Sequence, residues 1–355
     1  LSKQQYTACV IGTGRIGFTL GLDKKREQPA SHTMALLKNP HIRIIAGCDK
    51  NFEQLKKWKD YVDGDLSQFS FKEEKKVKIF TTVENLFVNC SPDIVVIAVN
   101  EDSHLETALY AISKKPKLVI LEKPVALNTK EADRIVKQSE KFKVPVLVNH
   151  ERRFALDYEL AFDYIKEIGD VQKITGYLFS GMRLYDPRHE KTGGYSLLHD
   201  GTHLVDIVLY LLSACGEEKL LKPVITGICR DAKDKKVVRG FTANYSTKKV
   251  PDISLVMSGR SRFFGFEVEI IGTEGKISIG NGHAEFYKRA ESKLYTGFYS
   301  LEKDSSVKVP EKTKYFANMI QNAVDFLDKK YPLKSTLKTG LDALKVLEDI
   351  KAKIK

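Results

Sequence analysis

The sequence predicts a parallel α/β domain followed by an α+β domain built on a large, mainly antiparallel sheet. Three observations carry this reading. Over the first 150 residues, short apolar runs alternate with helix-length stretches. Each of those runs ends in polar or charged residues. From about residue 224, strand follows strand with Gly-, Asn-, Asp- and Lys-containing turns between them. Near-continuous apolar strands spaced by helices suit a sheet buried on both faces. Closely spaced strands joined by turns suit antiparallel connections.

Strands are expected at 7–11, 42–48, 93–99, 118–121 and 144–148. They run into Gly12-Thr13-Gly14-Arg15-Ile16-Gly17, Asp49, Asn100, Glu122-Lys123-Pro124 and Asn149-His150-Glu151-Arg152-Arg153. Ligands of open α/β sheets bind outside the carboxyl ends of the strands, so these residues should collect along one edge. Helices are expected at 31–38, 51–61, 103–113 and 129–141, and the charged stretch 63–76 reads as a surface loop. Beyond Arg153 the character changes: a helix at 158–168, a strand-like run at 171–184, a Gly193-Gly194 turn and a helix at 200–213. Strands at 224–229, 237–245, 253–258, 264–271, 276–279 and 284–287 follow, and helices at 315–327 and 341–350 close the chain. The expected domains are therefore 1–150 and 151–355.

Composition bounds the function. At 355 residues, 42% of them hydrophobic, the chain can build two cores. It has no apolar run long enough to span a membrane and no apolar leader, so a cytoplasmic protein is expected. Cys9, Cys48, Cys90, Cys215 and Cys229 form no CxxC pair and read as reduced thiols rather than metal ligands. The net charge of +12 comes from scattered lysines, with no basic helix, zinc finger or aromatic RNA-binding motif. No nucleic-acid partner is expected, and an anionic small molecule is compatible.

Gly12-Thr13-Gly14-Arg15-Ile16-Gly17 follows a strand, as the dinucleotide fingerprint requires. Its first glycine permits the turn, the second lets backbone approach a pyrophosphate, and the third lets the next helix pack on the sheet. N–H groups at that helix start hold phosphate charge. Asp49, after the second strand, can accept both ribose hydroxyls of NAD and would repel a 2′-phosphate. Lys50 and Arg15 leave NADP open. Asp49 stands 32 residues after Gly17, where about 20 is usual. The excess is the basic segment around Lys24, Lys25 and Arg26, which Pro29 ends and Ser31 follows as the cap of a new helix. That segment is expected near the cleft mouth, either solvated or touching an anionic group.

Lys123 at a strand end can donate to a reacting hydroxyl or lower its pKa by charge. Pro124 fixes the turn that aims it, and the bond before it is one where a cis form occurs. His199 and His203 are four apart and share a face if one helix carries both. Metal ligation by this pair is disfavoured, because a third clear ligand is lacking.

These residues resemble the Gfo/Idh/MocA family (glucose–fructose oxidoreductase, inositol dehydrogenase, rhizopine catabolism) over nearly the whole chain. The resemblance rests on Gly12–Gly17, Ala98-Val99-Asn100 with His104, Glu122-Lys123-Pro124-Val125-Ala126, Asn149-His150-Glu151-Arg152-Arg153-Phe154, and Gly193-Gly194 with the run from His199 to Asp206. It implies a Rossmann domain and an open-sheet domain often used for oligomer contacts, hence a homodimer or homotetramer. It implies Lys123 as the catalytic lysine and His203 as the general acid/base. An aspartate usually stands four residues before that histidine. Here His199 holds that place and Asp200 stands three before, so His199 is a candidate substrate contact and Asp200 a candidate catalytic group. The usual Thr-Pro is Val99-Asn100 here. Asn100, His104, Glu122 and Lys123 join the glycine loop and Asp49 as implied cofactor residues, and Asn149 and Arg153 as implied substrate residues.

The reading is an NAD(P)-dependent dehydrogenase or reductase acting on a sugar, polyol or nucleotide sugar. Its rivals are an enzyme that recycles bound NAD during glycoside cleavage or epimerisation, and a non-catalytic NAD-binding sensor.

Overall fold

The computed structural model describes residues 5–66 and 76–355. In chain order the strands are β1 (Tyr6–Ile11), β2 (Ile42–Cys48), β3 (Lys78–Phe80), β4 (Ile94–Ile97), β5 (Leu118–Glu122), β6 (Val146–Asn149), β7 (Val171–Phe179), β8 (Val224–Arg230), β9 (Val238–Tyr245), β10 (Asp252–Ser258), β11 (Gly265–Gly272), β12 (Gly275–Gly280), β13 (His283–Glu291) and β14 (Tyr299–Lys303). The helices are α1 (His32–Lys38), α2 (Phe52–Leu66), α3 (Val83–Asn89), α4 (His104–Ser113), α5 (Thr129–Phe142), α6 (Leu156–Tyr164), α7 (Ser196–His199), α8 (Gly201–Ala214), α9 (Tyr315–Leu327) and α10 (Leu337–Ile354). The chain divides into two compact units, Leu1–Ala155 with Lys314–Leu341, and Leu156–Thr313 with Asp342–Lys355.

The first unit is a Rossmann sheet of six parallel strands in the order β3-β2-β1-β4-β5-β6. Ile11 pairs with Cys48 on one side and Ile97 on the other, and Glu122 pairs with Asn149. The parallel register therefore brings the carboxyl ends to one edge, where the polar residues follow. Strand order reverses between β1 and β4, the place where such sheets bind ligands. Both faces are covered: Val10, Val96, Ile120 and Leu147 line one face and share a core with Leu36 and Trp58, while Cys9, Val95 and Val119, which point the other way, are fully buried as well. Gly47 makes room for that tryptophan, since a Cβ there would stand 2.3 Å from its ring.

This unit also takes in α9, from the late segment Lys314–Leu341. Its Phe316, Met319, Ile320, Ala323 and Val324 are buried in the same core as β1 and β4. Each of the larger ones, Phe316, Met319, Ile320 and Val324, contributes roughly 1.5–3 kcal/mol by burial, enough to fix the helix here despite its distance in sequence.

Three local expectations also change. The glycine loop does not start a regular helix. Thr19 N–H reaches Gly14 O at 3.1 Å and Leu20 N–H reaches Arg15 O at 2.9 Å, widened i to i−5 bonds, before a short 3₁₀ turn at Thr19–Leu22. The regular helix begins only at α1, where Ser31 accepts from Met34 N–H as expected. Residues 63–66, expected in a loop, continue α2, helped by the Lys59–Asp63 pair one turn apart. The stretch 67–75 lies outside the described residues. β3 and α3 were not expected, being too short for a periodic signal.

The second unit carries an eight-stranded sheet in the order β14-β13-β12-β11-β7-β10-β9-β8. Only β7 with β10 is parallel, and the other neighbours are antiparallel. Period-2 alternation buries Ile253, Leu255 and Met257 of β10 and Phe266, Val268 and Ile270 of β11. Leu204 and Val208 of α8 lie over Gly176 of β7, where a Cβ would meet Leu204 at 2.9 Å. β7 ends at Phe179 rather than near 184, and β14 is an additional edge strand.

Candidate active site

The glycine loop is shaped by contacts that only glycine allows. Gly12 has φ +94°, and a Cβ there would stand 2.4 Å from Ala98 O, the backbone that follows β4. A Cβ on Gly17 would fall 1.9 Å from Gly12 O. Gly14 differs: nothing lies within 4 Å of where its Cβ would be. Among the described residues, none accepts from the N–H of Gly14, Arg15 or Ile16. Open space beside unengaged N–H groups suits a dinucleotide pyrophosphate. Arg15 is exposed, and Ile16 O accepts from His32 N–H at 3.1 Å.

Asp49 holds this loop. Its Oδ2 accepts from Thr13 N–H at 2.7 Å and Thr13 Oγ1 at 3.1 Å, and its Oδ1 accepts from Asn51 N–H at 2.9 Å. Gln54 Nε2 closes the ring by donating to Thr13 O at 2.8 Å. Thr13 is fully buried, so its side chain braces the loop from behind. Each Asp49 oxygen keeps acceptor capacity for a further donor. In the basic insertion, Lys24, Lys25 and Arg26 are exposed and Arg26 pairs with Asp23 at 3.5 Å. Glu27 pins the segment by accepting from Lys314 N–H at 2.6 Å.

Two strands along, Lys123 is half-buried at the end of β5 and the peptide bond to Pro124 is cis. Glu122 beside it is buried, and its Oε1 receives both His32 Nε2 and Asn149 Nδ2 at 2.6 Å. Burial alone would push this carboxyl up. The bond and charge of His32, the charge of Lys123 and the Asn149 amide outweigh it and hold Glu122 below the usual carboxylate range. His104 is also fully buried, with Nδ1 2.7 Å from Pro124 O and Nε2 3.1 Å from Val99 O. It spaces the turn after β5 from the loop after β4. Asn100 on that loop is exposed, its carbonyl accepting from Ser103 N–H. Arg153 is buried on the 3₁₀ turn Glu151–Phe154, and His150 faces Ser335 Oγ at 3.5 Å.

In the second unit, the run containing both histidines breaks at Asp200, which ends α7 and begins α8. His199 and His203 are half-buried and lie on different helices rather than on one continuous face. Asp200 Oδ2 accepts from Ser196 Oγ at 2.5 Å, and Asp200 O accepts from His203 N–H at 3.0 Å. The aspartate thus fixes the helix junction that carries His203. Among the described residues, no three His, Cys, Asp or Glu side chains come together as a metal site, and no helix is long and apolar enough to cross a membrane.

Sequence reasoning missed His32. No local pattern marks it, since its partner Glu122 is 90 residues away. The one available signal was its place directly after the capping Ser31.

The family model described as an oxidoreductase family with an NAD-binding Rossmann fold matches residues 7–150. No curated protein sequence matches the chain. Solved structures match its fold. A dehydrogenase from Chromobacterium violaceum superposes with TM-score 0.75 at 15% identity, covering 99% of this chain and 96% of that one. The WlbA dehydrogenase of Bordetella pertussis, in complex with NADH and UDP-GlcNAcA, gives 0.70 at 14%, covering 99% and 97%. UDP-N-acetylglucosamine 3-dehydrogenase from Acidithiobacillus ferrooxidans gives 0.72 at 16%, covering 98% and 97%. Residues 7–150 thus match the NAD-binding Rossmann domain of this oxidoreductase family, the Gfo/Idh/MocA family, and the solved structures share the fold of the whole chain.

Proposed function

We propose that this oxidoreductase transfers hydride between NAD(P) and a secondary carbinol or carbonyl of a sugar, polyol or nucleotide sugar. The observation that carries the reading is the joint geometry of the Rossmann edge. A loop with open space at Gly14 and unengaged N–H groups lies on the same strand edge as Lys123, which Glu122 flanks with a buried negative charge. When bound, the nicotinamide supplies the two-electron hydride acceptor or donor. The loop from Gly12 to Gly17 holds the pyrophosphate and Asp49 holds the ribose, favouring NAD over NADP. Asn100, His104 and Glu122 shape the nicotinamide side.

His203 takes the hydroxyl proton in oxidation and returns it in reduction. Lys123 stabilises the alkoxide charge through its ammonium. Asp200 positions His203 through the helix junction, and Asn149, Arg153 and His199 hold substrate hydroxyls. A nucleotide sugar suits the net charge of +12. It is also what the Bordetella relative holds beside NADH.

The test is release of bound small molecules by denaturation, read by mass spectrometry, followed by a screen of UDP-GlcNAcA, UDP-N-acetylglucosamine, inositol and glucose with NAD and NADP. Reduction of cofactor by one of these supports the reading. Tightly retained NAD without net reduction by any of them contradicts it and points to internal recycling or sensing.

A further inference from the structure

His32 lies at a junction of contacts that the proposed chemistry does not yet use. Its N–H donates to Ile16 O at 3.1 Å. The next residue, Thr33, donates to Gly17 O through both N–H at 3.0 Å and Oγ1 at 2.6 Å. Trp58 Nε1 fixes Thr33 Oγ1 at 2.8 Å. The backbone of His32 and Thr33 is therefore part of the wall of the glycine loop. The His32 side chain reaches the other way, to Glu122 Oε1 at 2.6 Å.

The imidazole has no exposure and stands edge-on to Phe316, with ring centroids 5.2 Å apart. Its Nδ1 is buried with no hydrogen-bond partner among the described residues. Leaving a buried polar atom unmade is costly, and an apolar side chain would fill the site without that penalty. What the histidine offers at this site is therefore its Nε2. Asn149 tells the same story: its Nδ2 donates to the same Glu122 oxygen while its Oδ1 is buried with no partner among the described residues. Two side chains from two elements each give up one polar atom to place a donor on a single carboxylate oxygen.

We infer that His32 is a positioning residue: by donating Nε2–H to Glu122 it keeps that buried carboxylate charged and fixed beside Lys123, and its backbone ties this arrangement to the cofactor loop. The inference deepens the proposed function and rests on it for the role of Lys123. The charged and titratable groups that act most on Glu122 are His32 on α1 and Lys123 beside it at the strand end, while Asn149 on β6 is neutral. From α9 the Phe316 ring packs edge-on against His32, His104 faces two backbone carbonyls, and His150 faces Ser335 among its partners. Without the histidine, the hydrogen bond and charge that most lower this carboxyl are lost, while burial still pushes it up.

The test needs no substrate. Acetic anhydride labelling of native protein, resolved to the Lys123 peptide by mass spectrometry, is run across pH 6 to about 9 on wild type, His32→Gln, His32→Leu and Glu122→Gln. Gln places an amide donor where Nε2 lies, and Leu does not. NADH affinity by fluorescence checks that each variant keeps its loop. The Leu variant should label Lys123 like Glu122→Gln at low pH and return toward wild type as the pH rises and Glu122 ionises. The Gln variant should follow wild type throughout. Once a substrate is known, kcat of the Leu variant should fall about tenfold or more and recover along the same pH curve, with KM little changed. If Leu and Gln behave alike, or if the Leu variant differs from wild type equally at every pH, His32 is structural only and the inference fails. Should the Leu variant not fold, His32→Met replaces it. Failure of the substrate screen with the labelling pattern intact would instead refute the proposed function and leave the Glu122 arrangement standing.

Discussion

Lys123 and His203 are asked to do the charge and proton work, so their removal should separate chemistry from binding. Lys123→Met is expected to lower kcat about a thousandfold, and His203→Ala about a hundredfold or more, with NADH affinity changed less than about threefold. A loss of NADH binding equal to the loss of turnover would show that these residues serve the fold instead. A second residue-scale expectation concerns pH. Lys355, then Tyr185 and Lys351, hold Glu190 down at about 2, against about 4.3 in an unfolded chain. Its contribution to stability is present above the unfolded value and disappears as pH falls through the folded one. The melting temperature of Glu190→Gln should therefore lie below wild type at neutral pH, with the gap closing between about pH 5 and pH 2. A gap that persists at pH 2 would contradict this linkage. At this scale the strand-end residues were legible because each ends an apolar run. The roles of Thr13 and His104 were not, because they arise from contacts made only when distant strands align.

Among the elements, the glycine loop gives the sharpest contrast. Gly12→Ala must place a Cβ 2.4 Å from Ala98 O at φ +94°, and should cost at least about 2 kcal/mol, read by denaturant unfolding. Gly14→Ala meets nothing within 4 Å, so its stability should match wild type to within about 1 kcal/mol. Its NADH affinity should nonetheless fall about tenfold or more, because the methyl fills the space the pyrophosphate needs. If Gly14→Ala binds NADH normally, the phosphate does not sit there. The long strands and helices were readable from their periods, and the start of α1 from its cap: Ser31 accepts from Met34 N–H. The widened turn after Gly14 was not readable, because the insertion carrying Lys24–Arg26 displaces the regular helix that the spacing otherwise demands.

For the whole molecule, the first unit is completed by a late segment. Ile320 of α9 is fully buried in the Rossmann core, and Ile320→Ala should cost about 3 kcal/mol in unfolding free energy. That destabilisation should be felt at the NADH site, seen as faster hydrogen exchange in β1 and β4; an effect confined to the second unit would contradict the assignment. The sequence showed α9 as a helix but could not show its destination, since an apolar face fits either core equally well. Two-domain architecture was legible from the change in strand spacing, whereas the return of the chain to its first unit was not. The account as a whole stands on hydride transfer. Its most direct measurement is the reduced-nicotinamide absorbance of wild type and Lys123→Met mixed with NAD and each of the UDP-sugars, inositol and glucose. The account predicts that wild type generates the band with at least one of them and that Lys123→Met binds NADH yet generates none. A wild type that binds NADH but reduces NAD with none of them, or a Lys123→Met variant that reduces it as fast, would contradict the account.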